Sequence, residues 1–299
     1  MQERLAGQFL SDLRCLDLRK WWIKMARIVA GVGVPHTPMF PATVRVGDPE
    51  NETARMYQRV KEQLDEVRPD VLVMFSTDHL ANFFLDNYPA IGVGVAESTQ
   101  GPNDNTPGLT PRTLVVNEGL AEHVRVATVL DGFDGSVVQQ FTLDHGWMVP
   151  LHYLQPRPAV ALVPVFVNGL LPPLPSAQRA WDLGRSTGAA VASWPSQLRV
   201  AVVASGSFSL DVGGHFIAPK QIFGVPEPRW AERVQDFLLA GEVEDLVHAT
   251  TRVQMAAAGN VAGEILDWIA MLGAIGGGIP TSLEMQTHFG HGFGFWGVE

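Results

Sequence analysis

The chain has 299 residues, of which 46% are hydrophobic and only 17% charged, and it carries a net charge of −10 at neutral pH. That balance argues against nucleic acid or an anionic membrane as partner, and no apolar run reaches the about 18 residues a membrane span needs, so a small molecule is the expected partner. A charged fraction below the usual ~25% predicts a large core or a homo-oligomer, and a single cysteine, Cys15, excludes an internal disulfide and fits a reducing cytoplasm.

Residues 1–24 mix charge with leucine and close on Lys20-Trp-Trp-Ile-Lys24. They lack the apolar centre and cleavage site of an export signal, and are expected to form an N-terminal extension ahead of one domain over 25–299. Ile28 to Val34 reads as a buried strand that stops at Pro35-His36. Asp48-Pro49 is the expected start of a helix, whose apolar face is marked by Met56, Val60, Leu64 and Val67 and which Pro69 ends. Val71 to Phe75 is a second buried strand running into Ser76-Thr-Asp-His79. Such a strand–helix–strand unit predicts neighbouring parallel strands. His36 and His79 are therefore expected at adjacent strand ends, on the carboxyl edge where open α/β sheets bind ligands.

Ala90 to Ala96 is a third strand, Ser98 to Pro111 a polar loop suited to a rim or lid, and Arg112 to Val126 a helix. After turn residues Asp131 to Gly135, Leu143 to Pro150 places His145 at a loop-to-helix junction. Val160 to Asn168 and Leu198 to Ser205 are further buried strands, separated by a helix over about 176–194. Beyond Gly206-Ser-Phe-Ser-Leu-Asp-Val-Gly-Gly214 and His215, helices are predicted near 228–240 and 261–275, followed by a glycine- and aromatic-rich tail from His288 to Trp296. The alternation predicts an α/β fold, a single three-layer domain with a central mixed or mostly parallel sheet flanked by helices.

In the last helix the stripe Val261, Glu264, Ile265, Trp268 and Leu272 puts Glu264 on an otherwise apolar face. An unpartnered buried carboxylate is destabilising, so such a group is paired or binds a metal. An arginine or contact with solvent would satisfy Glu264 as well as a metal would. Two strand-end histidines and one glutamate also compose a facial triad, which suits Fe(II), and three protein ligands suit catalytic zinc equally. The sequence has no dinucleotide loop, Walker sequence, nucleophile elbow or His-Glu-x-x-His.

Gly33-Val-Pro-His36, Thr77-Asp-His79, Gly94-Val-Ala-Glu97, Asp144-His-Gly-Trp-Met-Val-Pro-Leu151, Val163-Pro-Val-Phe-Val-Asn168 with Pro172-Pro-Leu174, and Gly259-Asn-Val-Ala-Gly-Glu264 with Trp268 and Gly273-Ala274 carry a family resemblance. In this order they resemble the class III extradiol ring-cleaving dioxygenases, the superfamily of the protocatechuate 4,5-dioxygenase catalytic subunit. The resemblance implies that His36, His79 and Glu264 hold a mononuclear non-haem Fe(2+). It implies O2 and a catechol-like or aminophenol-like aromatic as substrates, with ring opening beside the two adjacent oxygens rather than between them. A small companion subunit closes the pocket in some relatives.

The resemblance further implies two proton-transferring histidines, a task suited to imidazole. His145 matches one. The other should stand in a Gly-Gly-hydrophobe-Ser-His sequence, where this chain has Gly206-Ser-Phe-Ser-Leu210. Leu210, expected with Ser209 against the substrate, cannot accept a proton. His215 is the expected stand-in, ahead of His288, His291 and His152. Two other readings stay open: a metal-dependent hydrolase, lyase or isomerase on the same fold, and a partner subunit that has lost a catalytic residue.

Overall fold

Runs of valine, alanine and leucine build the centre of the sheet. β1 (Arg27–Val34), β2 (Val71–Ser76), β7 (Ala161–Val167) and β8 (Arg199–Ser205) are buried almost from end to end, as strands covered on both faces must be. They run parallel in the order β1-β8-β2-β7. In the computed structural model, which describes residues 24–213 and 221–298, antiparallel neighbours extend this centre on both sides. β3 (Ile91–Gly94) pairs with β7 and carries β6 (Ser136–Val138) outside it; β12 (His291–Gly297) pairs with β1 and carries β11 (Ser282–Gln286), while β9 (Asp211–Val212) and β10 (Phe223–Gly224) form a separate antiparallel pair.

Helices cover both faces, giving the α/β three-layer arrangement read from the sequence. α1 (Glu52–Val67) packs on β1 and β12 and against α3 (His145–Leu154). A second group holds α2 (Glu118–Leu130), α4 (Ala177–Ser193) and α8 (Ile265–Ile275), of which α8 crosses β1, β8 and β2. α5 (Pro228–Ala240), α6 (Val243–Ala249) and α7 (Arg252–Ala258) lie between β8 and α8 in sequence. Among the described residues no helix is long and apolar enough to cross a membrane.

Several expectations are corrected. β1 and β2 are not neighbours, because β8 inserts between them and bonds to both; a crossover fixes handedness, and a later buried strand can still enter the gap. α1 starts after Asn51, whose side chain accepts from Ala54 N–H at 3.1 Å, whereas Asp48 accepts from Glu50 N–H in a preceding turn. Arg112–Val115 is a strand, β5, paired with β4 (Ser98–Gly101) from the segment read as a loop, and α2 begins only after its cap Asn117. The β-branched residues Thr113 and Val115 suit that extended hairpin. The aromatic tail is β12: Gly292 sits where a Cβ would come within 2.7 Å of the Phe208 ring, so the alternation of aromatic and glycine is that of a covered strand.

α8 is buried on every side, not along one stripe. It approaches α4 so closely that a Cβ on Gly184 would lie 1.9 Å from the Ala270 carbonyl oxygen. Asp267, within this helix, is completely buried. Its Oδ2 lies 3.3 Å from Thr77 Oγ1, whose single proton is directed to Val167 O at 3.0 Å, and its Oδ1 has no hydrogen-bond partner among the described residues. Burial, reinforced by the Glu264 carboxylate, raises the Asp267 carboxyl well above its ordinary range. A protonated Asp267 can donate to Thr77.

Gly184→Ala forces backbone apart and should cost about 1–3 kcal/mol, read as a drop of several degrees in Tm by calorimetry; an unchanged Tm would contradict the close contact. For Asp267 the folded-state pKa lies above the unfolded one, so its contribution is fully present below pH 3.8 and is lost as pH rises toward the folded value. Asp267→Asn in the metal-free protein should therefore raise Tm at about pH 8 and give little gain at about pH 4. An equal effect at both pH values would rule out the buried-acid assignment.

Candidate metal centre

Three distant segments meet at the carboxyl edge of the parallel strands. β1 leads through Pro35 to His36, β2 leads through Thr77 and Asp78 to His79, and Glu264 ends the helical turn Ala262–Glu264 just before α8. The turn fits because its neighbours are small. A Cβ on Gly206 would lie 2.6 Å from Glu264 Cβ, and one on Gly263 would lie 2.2 Å from the Gly169 carbonyl oxygen.

Hydrogen bonds decide which atoms face inward. Ser205 Oγ donates to Gly146 O at 2.6 Å, so it accepts from His36 Nδ1–H at 2.8 Å. Asp144 Oδ2 accepts from the His79 backbone N–H at 2.6 Å and from its Nδ1–H at 3.2 Å. Both imidazoles are thus left with Nε2 as the nitrogen available to a metal. The Nε2 atoms of His36 and His79 lie 3.0 and 3.3 Å from Glu264 Oε1, and Glu264 Oε2 accepts from Ser207 N–H at 2.8 Å. Ser205 ends β8, the strand missing from the expected edge, and Ser207 follows two residues later.

Lone pairs that converge in this way need a cation among them, whether a proton or a metal ion. Burial opposes the charged form of Glu264, but His36 and His79 hold its carboxyl well below the ordinary range. Ligand atoms about 2.1 Å from an ion and at right angles to one another are about 3 Å apart. The observed separations fit that spacing, and the nitrogen and oxygen donors fit a facial triad.

His145 is the first residue of α3, with Asp144 as its cap: Asp144 Oδ1 accepts from Gly146 N–H at 2.8 Å. The His145 ring lies 4.1 Å from that of His79 and 5.5 Å from that of His36. Its Nδ1 is bonded to Asp104 Oδ2 at 2.5 Å. Burial first, and neighbouring His79 second, lower its pKa. One nitrogen from each of the three imidazoles lies within 4.8 Å of the others, a second set capable of holding a metal.

A cavity of about 170 Å³ opens on these groups, and beyond His36, His79, His145 and Glu264 its walls are Thr37, Pro38, Ser207, Leu210, Val212 and Val261. Leu210 therefore faces the site. Ser209 does not line it: its buried hydroxyl donates to Ala258 O at 3.1 Å and accepts from Glu227 N–H at 3.0 Å. His215 lies outside the described residues. His288 is exposed beside Phe289, and His152 rests against Tyr153. His291 is buried in β12 with Nε2 3.0 Å from Thr37 Oγ1, and burial with the nearby His36 lowers its pKa to about 3. A larger groove of about 680 Å³, lined by Asp131, Arg179 and Arg185 among others, contains none of these histidines. Sequence reasoning missed Ser205, Ser207 and Asp104; the last lies in a polar stretch whose composition signals a loop and nothing more.

A 2,3-dihydroxyphenylpropionate/2,3-dihydroxicinnamic acid 1,2-dioxygenase of Photorhabdus laumondii is 25% identical over 292 residues, covering 85% of this chain and 90% of that enzyme. A Dechloromonas aromatica enzyme of the same description is 33% identical over 183 residues, 59% of this chain and 54% of that one. Gallate dioxygenase of Pseudomonas putida is 31% identical over 174 residues, 56% of this chain and 49% of the enzyme. These last two matches thus span about half of each relative. The crystal structure of an uncharacterized Escherichia coli K12 protein shares the fold, with a TM-score of 0.58 at 16% identity over 90% of this chain and 100% of that one. The family described as the catalytic LigB subunit of aromatic ring-opening dioxygenase matches residues 30–295, a span that holds His36, His79, His145 and Glu264, and the chain belongs to that family.

Proposed function

We propose that this protein is a non-haem Fe(II)-dependent extradiol dioxygenase that opens a catechol-like aromatic ring next to its two adjacent hydroxyls. The observation that carries the reading is the convergence of His36 Nε2, His79 Nε2 and Glu264 Oε1, at 3.0 and 3.3 Å, with the remaining nitrogens and oxygen bonded elsewhere. His36, His79 and Glu264 would hold the iron, which supplies electron transfer between the aromatic and O2. The relatives named for 2,3-dihydroxyphenylpropionate and for gallate support that substrate class.

The chain's own residues divide the remaining work. Ser205 and Asp144 hold the two imidazoles in one tautomer, and Ser207 N–H orients the carboxylate. His145, with Nδ1 occupied, presents Nε2 as the group that takes a proton from a substrate hydroxyl and returns it. Leu210, Val212, Val261 and Pro38 form an apolar wall that packs on a ring and excludes water. Because Leu210 accepts no proton and His145 therefore has to serve both transfers, substrates with an acidic hydroxyl suit the site best. A heteroaromatic diol has that property.

Anaerobic loading with Fe(II), followed by air, is expected to give about one iron per chain and oxygen uptake with dihydroxylated aromatics. His36→Ala and Glu264→Ala should lose the iron together with activity, whereas His145→Ala should keep the iron and lose about 10²–10⁴-fold in turnover. No uptake across a broad panel, or full iron retention by His36→Ala, would overturn the reading. The three-imidazole set favours one competitor, a non-oxidative metal hydrolase or lyase with His145 as a ligand. Turnover without O2, joined to metal loss in His145→Ala, would select it. Leu210→His should raise ring-cleaving turnover by restoring a proton acceptor; a fall would mean that the apolar volume at this position belongs to the substrate fit.

A further inference from the structure

His145 is held from outside its own helix. The hairpin of β4 and β5 is tied to the residues just before α3 through β4 and the connecting loop: Leu143 N–H donates to Gln100 O of β4 at 2.7 Å, and in the loop Asn103 N–H donates to Leu143 O at 3.0 Å and Asn103 Nδ2 to Thr142 Oγ1 at 2.6 Å. The next residue, Asp104, then makes two bonds to one partner. Its Oδ2 accepts from the His145 backbone N–H at 3.1 Å and lies 2.5 Å from His145 Nδ1. Its Oδ1 accepts from Thr106 Oγ1, so both carboxylate oxygens are engaged.

We propose that Asp104 is the positioning residue of His145: it fixes the imidazole in the Nδ1–H tautomer and in one ring orientation, so that Nε2 is the nitrogen offered to the substrate. The catalytic consequence rests on the function proposed above, while the tautomer and the orientation do not. A base oriented by a third group is a general requirement of proton-transfer sites. Here it has added weight, because Leu210 stands where a second imidazole is expected and leaves His145 without that support. A backbone N–H and a ring N–H directed at the same oxygen set the side-chain torsion as well as the tautomer. The polar loop read from sequence as a rim or lid therefore has a defined task at this residue.

The competing explanation is that Asp104 only fastens its loop to α3. Asp104→Ala, Asp104→Asn and the loop control Thr106→Val separate the two. In metal-free and Zn(II)-loaded protein labelled with 15N-histidine, the His145 resonance, identified by its loss in His145→Gln, should report a protected Nδ1 proton. That protection should vanish in Asp104→Ala and persist in Thr106→Val. In the iron-loaded enzyme Asp104→Ala should lower kcat about 10–100-fold with iron content and KM nearly unchanged, and Asp104→Asn should recover part of the loss by retaining an acceptor oxygen. Unaltered Nδ1 protection in Asp104→Ala would overturn the proposal. So would equal losses in Asp104→Ala and Thr106→Val, or kcat losses that simply track iron content. If no aromatic is turned over at all, the proposed function fails and the NMR result still decides the role of Asp104.

Discussion

A carboxylate at 2% exposure, facing two imidazole nitrogens whose rings are each anchored from behind, is the constraint on which the rest of this structure depends. Charge cannot be kept there without a cation, and nothing larger than hydrogen can occupy positions 206 and 263 beside it. The surrounding chain is arranged accordingly. α8 is buried on all sides, so the turn that delivers Glu264 has a rigid base, and the second carboxylate in the helix, Asp267, is held as an acid and does not add another charge. Glu264 is thereby the negative group that meets His36 and His79.

The insertion of β8 between β1 and β2 explains how one edge provides both imidazoles and their supports. β1 and β2 deliver imidazoles from either side, and the end of β8 lies between them with the Ser205 hydroxyl behind His36 and the Ser207 amide behind Glu264. Directly adjacent histidine strands would leave no backbone between them to perform either task. α3 completes the arrangement from its first turn, where Asp144 both caps the helix and orients His79 while the next residue brings its own imidazole to the cavity. The remaining wall is apolar, which strengthens each polar contact inside by removing water.

Much of this was legible in the sequence, for reasons that vary from element to element. Continuous apolar runs ending in Pro35-His36 and Thr77-Asp78-His79 marked buried strands whose ends reach the cavity, and the helices over Ala177–Ser193 and Pro228–Ala240 stand where their punctuation places them. Strand adjacency was not legible, because local patterns carry no information about a partner more than a hundred residues away. The β4–β5 hairpin was obscured by proline, glycine and asparagine between short strands, and β12 by glycines that replace half of its alternation. The stripe reading of Glu264 reached a buried residue through an amphipathic pattern that α8 lacks. Ser209 was expected with Leu210 against the substrate, but its buried hydroxyl is bonded to Ala258 and Glu227. Asp104 depends entirely on a tertiary contact.

The most direct test of the account is a crystal structure of the anaerobically iron-loaded protein, with the ion located by anomalous scattering at the iron edge. The account predicts one ion bonded to His36 Nε2, His79 Nε2 and Glu264 Oε1, with His145 unligated and its Nδ1 still on Asp104. An ion bonded to His145 in place of Glu264, or no ion at this edge, would contradict it.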